Sequence, residues 1–162
     1  MSTRALVKSA IASKPEELIQ LVSFMLGDEE YGVEVLKVRE IIRMPLITKM
    51  PNMPQHFAGI INLRGKVIPI ISMRKRFNLT ENENSGHTRI IIMEVAGVLA
   101  GFIVDAVSEV IRIQKSQIQP PPPVLSGDIG HEFVSGVISH AERLLIIMDI
   151  DRMFSDDERK IW

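Results

Sequence analysis

A chain of 162 residues is long enough to bury roughly two thirds of its unfolded surface, either as one domain or as two small units sharing a core. Apolar residues make up 46% and charged residues 24%, an ordinary globular balance, and a net charge of -1 with both signs interspersed argues against a partner held through its phosphates. The absence of cysteine excludes disulfides, thiolate catalysis and cysteine-based zinc sites, and no apolar run reaches the length of a membrane-spanning helix.

The opening, residues 1–19, predicts a mobile arm. Arg4 and Lys8 flank short apolar pieces without the continuous hydrophobic core of a secretory signal. Ser13-Lys14-Pro15-Glu16 has the form of a helix start, with a capping Ser, an early Pro and a Glu three residues on. Strands are predicted at Gln20 to Leu26, which ends at Gly27-Asp28, at Tyr31 to Val35 and at Arg39 to Met44. Pro51 and Pro54 mark a turn. Gly59 to Leu63 and Lys66 to Ile71 are apolar runs joined by Arg64-Gly65, a two-residue hairpin signal. Met73 to Leu79 predicts a short helix, and Thr80 to His87 a polar linker. Further strands are expected at Arg89 to Val95, Val98 to Val104, Ser108 to Ile113, Phe133 to Ser139 and Arg143 to Met148, with a polar helix from Ile150 to Trp162. Many short strands with frequent turn signals define an all-β class of barrels or sandwiches.

The chain also resembles itself. Gly32 to Met44 aligns without a gap on Gly101 to Ile113, with Gly, Val, Glu, Ile and Arg coinciding, and Gly59 to Phe77 aligns on Gly136 to Phe154. The order of the pieces is the same on both sides of the linker. Two similar small barrels packed side by side follow from this, since a half-chain alone builds only a marginal core. Such a pair leaves a groove between the barrels and two distinct end faces, a shape suited to bridging partners.

Little in the chain points to catalysis. His56, His87, His131 and His140 have no second His at helical spacing, so each reads as a loop or surface residue and no metal or other cofactor is expected. Ser72-Met73-Arg74-Lys75 matches the bare SxxK spelling without its companion motifs, and no nucleophile elbow or phosphate-binding glycine loop occurs. Pro120 to Pro123 forces extended backbone, which serves either as a stiff connector or as a ligand for an aromatic groove. Arg64 at the hairpin tip either faces water or is presented to a partner. Val35, Val38, Val104, Val107 and Val110 read first as core.

Three stretches resemble CheW-type chemotaxis coupling proteins. They are Phe24 to Ile41 (FMLGDEEYGVEVLKVREI), Gly59 to Ile70 (GIINLRGKVIPI) and Gly101 to Val110 (GFIVDAVSEV), and the likeness runs from about Leu21 to Phe154. The resemblance implies two intertwined, SH3-like, five-stranded β-barrels with short helices at the linker and C-terminus. The domain spans 20–155, the first barrel lying mostly in 20–79 and the second mostly in 88–149, with strands open to exchange and 156–162 as a helical tail. It implies a scaffold and not an enzyme, working in the cytoplasm beside membrane receptor arrays without inserting into the membrane. The implied partners are the regulatory domain of a CheA-type histidine kinase and the cytoplasmic tip of methyl-accepting chemoreceptors, with no nucleic acid. A parallel two-component pathway unrelated to motility is the alternative setting. The resemblance directs Val38, Gly59, Val104, Val107 and Val110 to a receptor groove and Glu40 and Arg64 to a kinase-binding surface, with Glu40 and Arg64 expected to pair. Ser72 stands where that family usually has an acidic residue.

Overall fold

A computed structural model describes residues 17–77, 79–80, 84–121 and 133–153. The expected helix start at Ser13 to Glu16, the second half of the Pro120 to Pro123 run and the tail beyond Met153 lie outside the described residues.

Among the described residues ten strands follow one another as β1 (Leu18–Leu26), β2 (Glu29–Glu34), β3 (Val38–Arg43), β4 (Phe57–Leu63), β5 (Lys66–Ser72), β6 (Arg89–Val95), β7 (Val98–Val104), β8 (Ala106–Gln114), β9 (Val134–His140) and β10 (Arg143–Met148). Among the described residues two short helical segments, α1 (Met73–Arg76) and α2 (Ile150–Met153), follow β5 and β10. They form two five-stranded sheets, β8-β1-β2-β10-β9 and β3-β6-β7-β5-β4, each an SH3-like barrel. Neighbours pair antiparallel except β2 with β10 and β5 with β7.

The sheets do not divide the chain near 79 and 88. Residues 38–104 supply the strands of one barrel, and 18–34 with 106–148 those of the other. The chain passes between barrels at two very short crossings, a 3-10 turn at Val35–Lys37 and the single residue Asp105 between β7 and β8. Neither crossing carries the Gly or Pro punctuation by which boundaries are read in sequence.

This exchange carries the internal repeat into three dimensions. Replacing each strand by its repeat partner turns the order β8-β1-β2-β10-β9 into β3-β6-β7-β5-β4. The finer bonds repeat as well. Thr48 and Ile60 exchange two backbone hydrogen bonds, as do Gln119 and Val137, and the Ser72 N–H donates to the His56 carbonyl as the Asp149 N–H does to Phe133.

Three apolar clusters hold the molecule. One barrel is filled by Leu21, Ile111, Ile113, Ile138, Leu145 and Ile147, the other by Ile61, Ile68, Ile70, Ile90 and Ile92. A third, larger cluster forms the seam between them, with Val22 and Phe24 of β1, Ile91 and Met93 of β6 and Phe102 of β7 among its members. Strand alternation explains the double demand on β6. Ile90 and Ile92 point into the barrel while Ile91, Met93 and Val95 point into the seam, so its run RIIIMEV is apolar on both faces. Each fully buried side chain of this kind stabilises the fold by about 1.5–3 kcal/mol. Phe24, Tyr31, Phe77 and Phe133 stack in a row against the seam, with successive ring centroids 5.9, 5.4 and 5.0 Å apart. The Tyr31 hydroxyl donates to Glu29 Oε2 at 2.9 Å, and burial together with that carboxylate pushes its pKa above the ordinary phenol value.

Candidate functional site

The hairpin between β4 and β5 turns on Arg64 (φ 51°) and Gly65 (φ 88°). Positive φ at both positions gives the turn whose twist matches a β-hairpin, and Arg64 adopts the left-handed region without being glycine. The Asn62 side-chain oxygen accepts from the Gly65 N–H at 2.8 Å and braces the tip. The Arg64 guanidinium meets Glu40 of β3 in a two-point contact, Nη1 to Oε2 at 3.2 Å and Nη2 to Oε1, as expected of this pair. The carboxylate raises the Arg64 pKa further above its already high value. Next to it, Arg39 pairs with Glu94.

These charges rim the open end of the 38–104 barrel. The mouth is floored by Leu63, Ile68, Ile92 and Leu99 and edged by Arg39, Glu40, Arg64, Lys66 and Glu94. Apolar floor and alternating charged rim are the surface chemistry of a protein-recognition site, where charge pattern sets partner choice more than affinity.

The proposed groove residues separate into three groups. Val38 and Val107, which occupy matching positions of the repeat, are partly buried and pack against the seam cluster, as does Val35. Val110 on β8 is 59% exposed. Val104 departs from its assignment. At 1% exposure it belongs to the seam, because the pleat of β7 sends Ala100, Phe102 and Val104 to one face. Gly59 is buried too and faces a strap of its own barrel. A Cβ built there would lie 2.3 Å from the Thr48 carbonyl oxygen, with φ at +144°, so glycine is required for close approach of the strap.

Ser72 has a structural task. Its side chain caps α1 by accepting from the Lys75 N–H at 3.3 Å, the work an acidic residue performs at the matching place in α2, where Asp149 Oδ1 accepts from Asp151 and Arg152. The SxxK spelling is thereby accounted for as a helix start.

Sequence reading missed the contacts at the crossings. Asp105 receives Arg74 Nε and Nη2 at 2.8 and 2.6 Å and the Gly27 N–H at 2.8 Å. Burial alone would raise its carboxyl, but these hydrogen bonds and the Arg74 charge hold it below the usual carboxylate range. At the other crossing Lys37 Nζ lies 2.6 Å from Asp151 Oδ2. The hydrogen bond to Asp151 leads the causes that raise the Lys37 pKa. Beside it stands Leu36, 89% exposed. No periodic pattern marks these residues, since a three-residue turn has no face.

Among the described residues no cluster of His, Cys, Asp or Glu is suited to a metal ion, and no helix is long and apolar enough to cross a membrane. A pair of fused barrels with a charged mouth and a valine-edged seam defines an interaction module. The CheW-like domain model matches residues 20–158, and the chain belongs to that family. Chemotaxis protein CheW of Treponema pallidum is 37% identical over 147 residues, covering 88% of this chain and 86% of that protein. The Helicobacter pylori protein of the same name is 33% identical over 142 residues, covering 88% and 85%. The crystal structure of the scaffolding protein TtCheW from Thermoanaerobacter tengcongensis superposes with a TM-score of 0.79 at 41% identity, covering 88% of this chain and 91% of that one. The family is one of chemotaxis scaffolds.

Proposed function

We propose that this chain is a non-catalytic cytoplasmic scaffold that joins the regulatory domain of a CheA-type histidine kinase to the cytoplasmic tip of methyl-accepting chemoreceptors. The observation that carries the reading is the braced hairpin holding Arg64 against Glu40 at the barrel mouth. A pair so exposed adds little to folding, so its value lies in partner choice. The kinase domain is assigned to this mouth. The receptor tip, an amphipathic helical hairpin, is assigned to the seam edge at Val38 and Val107 with Val110 beyond it.

Calorimetric titration with the regulatory domain of a co-encoded kinase tests the first assignment. Binding should weaken about tenfold or more in Arg64→Glu. Unchanged affinity in that variant would move the kinase surface elsewhere, and a wild-type chain that binds no such domain would overturn the scaffold reading. For the second assignment, Val107→Glu should weaken receptor-tip binding while the circular dichroism spectrum stays that of the folded chain. Loss of the spectrum would return Val107 to the core.

A further inference from the structure

Asp151 joins three parts of the molecule that are far apart in sequence. Its Oδ2 holds Lys37 Nζ at 2.6 Å, its Oδ1 accepts from the Ala96 N–H at the β6–β7 turn at 3.4 Å, and its own N–H donates to Asp149 Oδ1 at 3.1 Å within the start of α2. One carboxylate therefore ties the crossing turn Val35–Lys37 and a hairpin of one barrel to the helix that follows the last strand of the other.

The turn it holds lies next to the proposed receptor edge. Val35 and Val38 on either side of it pack against the seam, and Leu36 between them stands almost wholly in solvent. With both neighbours anchored, the remaining freedom of the segment is rotation of the turn about those anchors. Lys37 is the one residue of the turn with a side-chain ion pair to another element among the described residues. Leu36, Lys37, Ala96, Gly97 and Asp151 line one cleft, which meets the charged barrel mouth at Glu94 and Gly97.

We propose that the Lys37–Asp151 pair is a latch that sets how Leu36 and Val38 are presented to the receptor tip, so that Lys37 and Asp151 are positioning residues for a partner neither has to touch. This rests on the receptor assignment above. The pair is partly exposed, with side chains 42% and 39% accessible, so the latch is shallow and its opening changes local populations more than global stability.

The test uses the full chain as Lys37→Met, which keeps the stem and removes the charge, Asp151→Asn, which keeps an acceptor for Ala96, and Lys37→Arg, which restores the charge. Amide exchange at residues 35–38 should quicken about two- to fivefold in the first two variants and return towards wild type in the third, with β6 and β7 unchanged. Receptor-tip affinity should fall by a similar factor in the same two variants and recover in Lys37→Arg, while kinase-domain affinity stays constant. Unaltered exchange in both charge-removing variants would overturn the latch. Altered exchange with unaltered receptor affinity would overturn its positioning role and leave a local brace. A wild-type chain that fails to bind the receptor tip would overturn the receptor assignment and the positioning role with it, while the exchange data still decide whether the latch exists.

Discussion

The two crossings and the two hairpin tips are copies of one design with different charges. At one crossing the acid sits on the chain between strands and the base on the helix, Asp105 with Arg74. At the other the base sits on the turn and the acid on the helix, Lys37 with Asp151. Each acid also receives the N–H of a hairpin turn, from Gly27 or Ala96, matching positions of the repeat. Each crossing is closed by a pair of opposite charges drawn from different halves of the chain, Asp105 with Arg74 and Lys37 with Asp151. The tips diverge in the same way. Glu40 engages Arg64, whereas its repeat partner Glu109 engages His140 Nε2 at 3.2 Å beside a tip of Ala141 and Glu142. Backbone geometry is the same at the two tips, and the side chains presented there are not.

The largest way to break the comparison is through the seam that both halves share. Phe102 of β7 is fully buried there, and its repeat partner Val33 on β2 lies in the same cluster. Phe102→Ala should cost about 3–5 kcal/mol and Val33→Ala distinctly less, in urea melts followed by circular dichroism. Both curves should remain single transitions, because β6 and β1 each serve a barrel and the seam together. A biphasic curve would mean that the barrels unfold separately. A smaller effect separates the two strap contacts. Gly59→Ala meets backbone at a φ that side chains rarely adopt, and should cost about 2–3 kcal/mol. Gly136→Ala meets the Ile118 Cγ2 methyl at 2.4 Å and the Gln119 carbonyl oxygen at 2.9 Å, but without a positive φ, and should cost about 1–2 kcal/mol. Equal losses in the same melts would show that both straps yield alike.

Strands, hairpins and duplication were legible because each is written in neighbouring residues. The Arg64-Gly65 turn, the apolar run of β6 and the repeat about Gly32 and Gly101 all reappear in the fold. The Glu40–Arg64 pair was legible only through family resemblance. Which strands share a barrel was not legible from spacing, since that depends on crossings of one and three residues that look like strand ends. At Val104 the plain reading of a valine as core held and the groove assignment implied by the family resemblance did not, because the pleat of β7 turns it into the seam. The Lys37–Asp151 contact joins residues 114 apart in the chain, beyond the reach of any local pattern.

The finest distinction is that the crossing held by Lys37 should fail at the alkaline end of the pH scale, where the one held by Arg74 should not. The Asp105 carboxyl is held below its ordinary value, so its stabilisation is complete above the unfolded pKa of about 3.9 and is lost as pH falls through the lower folded value. The urea-midpoint difference between wild type and Asp105→Asn should therefore be steady near neutrality and shrink below about pH 4. Lys37 is raised, by the hydrogen bond to Asp151 first and by the charges of Asp151, Asp149 and Glu34 after it. Its stabilisation is complete below the unfolded value of about 10.4 and is lost as pH climbs through the folded one. The difference between wild type and Lys37→Met should accordingly persist to about pH 10 and close above it. It should also be the smaller of the two near neutrality, because Arg74 and Asp105 are 16% and 29% exposed against 42% and 39% for Lys37 and Asp151. If the Asp105→Asn difference survived undiminished at pH 2, the clamp at that crossing would owe its strength to shape and hydrogen bonding alone, and the reversed charges would not be what distinguishes the two copies.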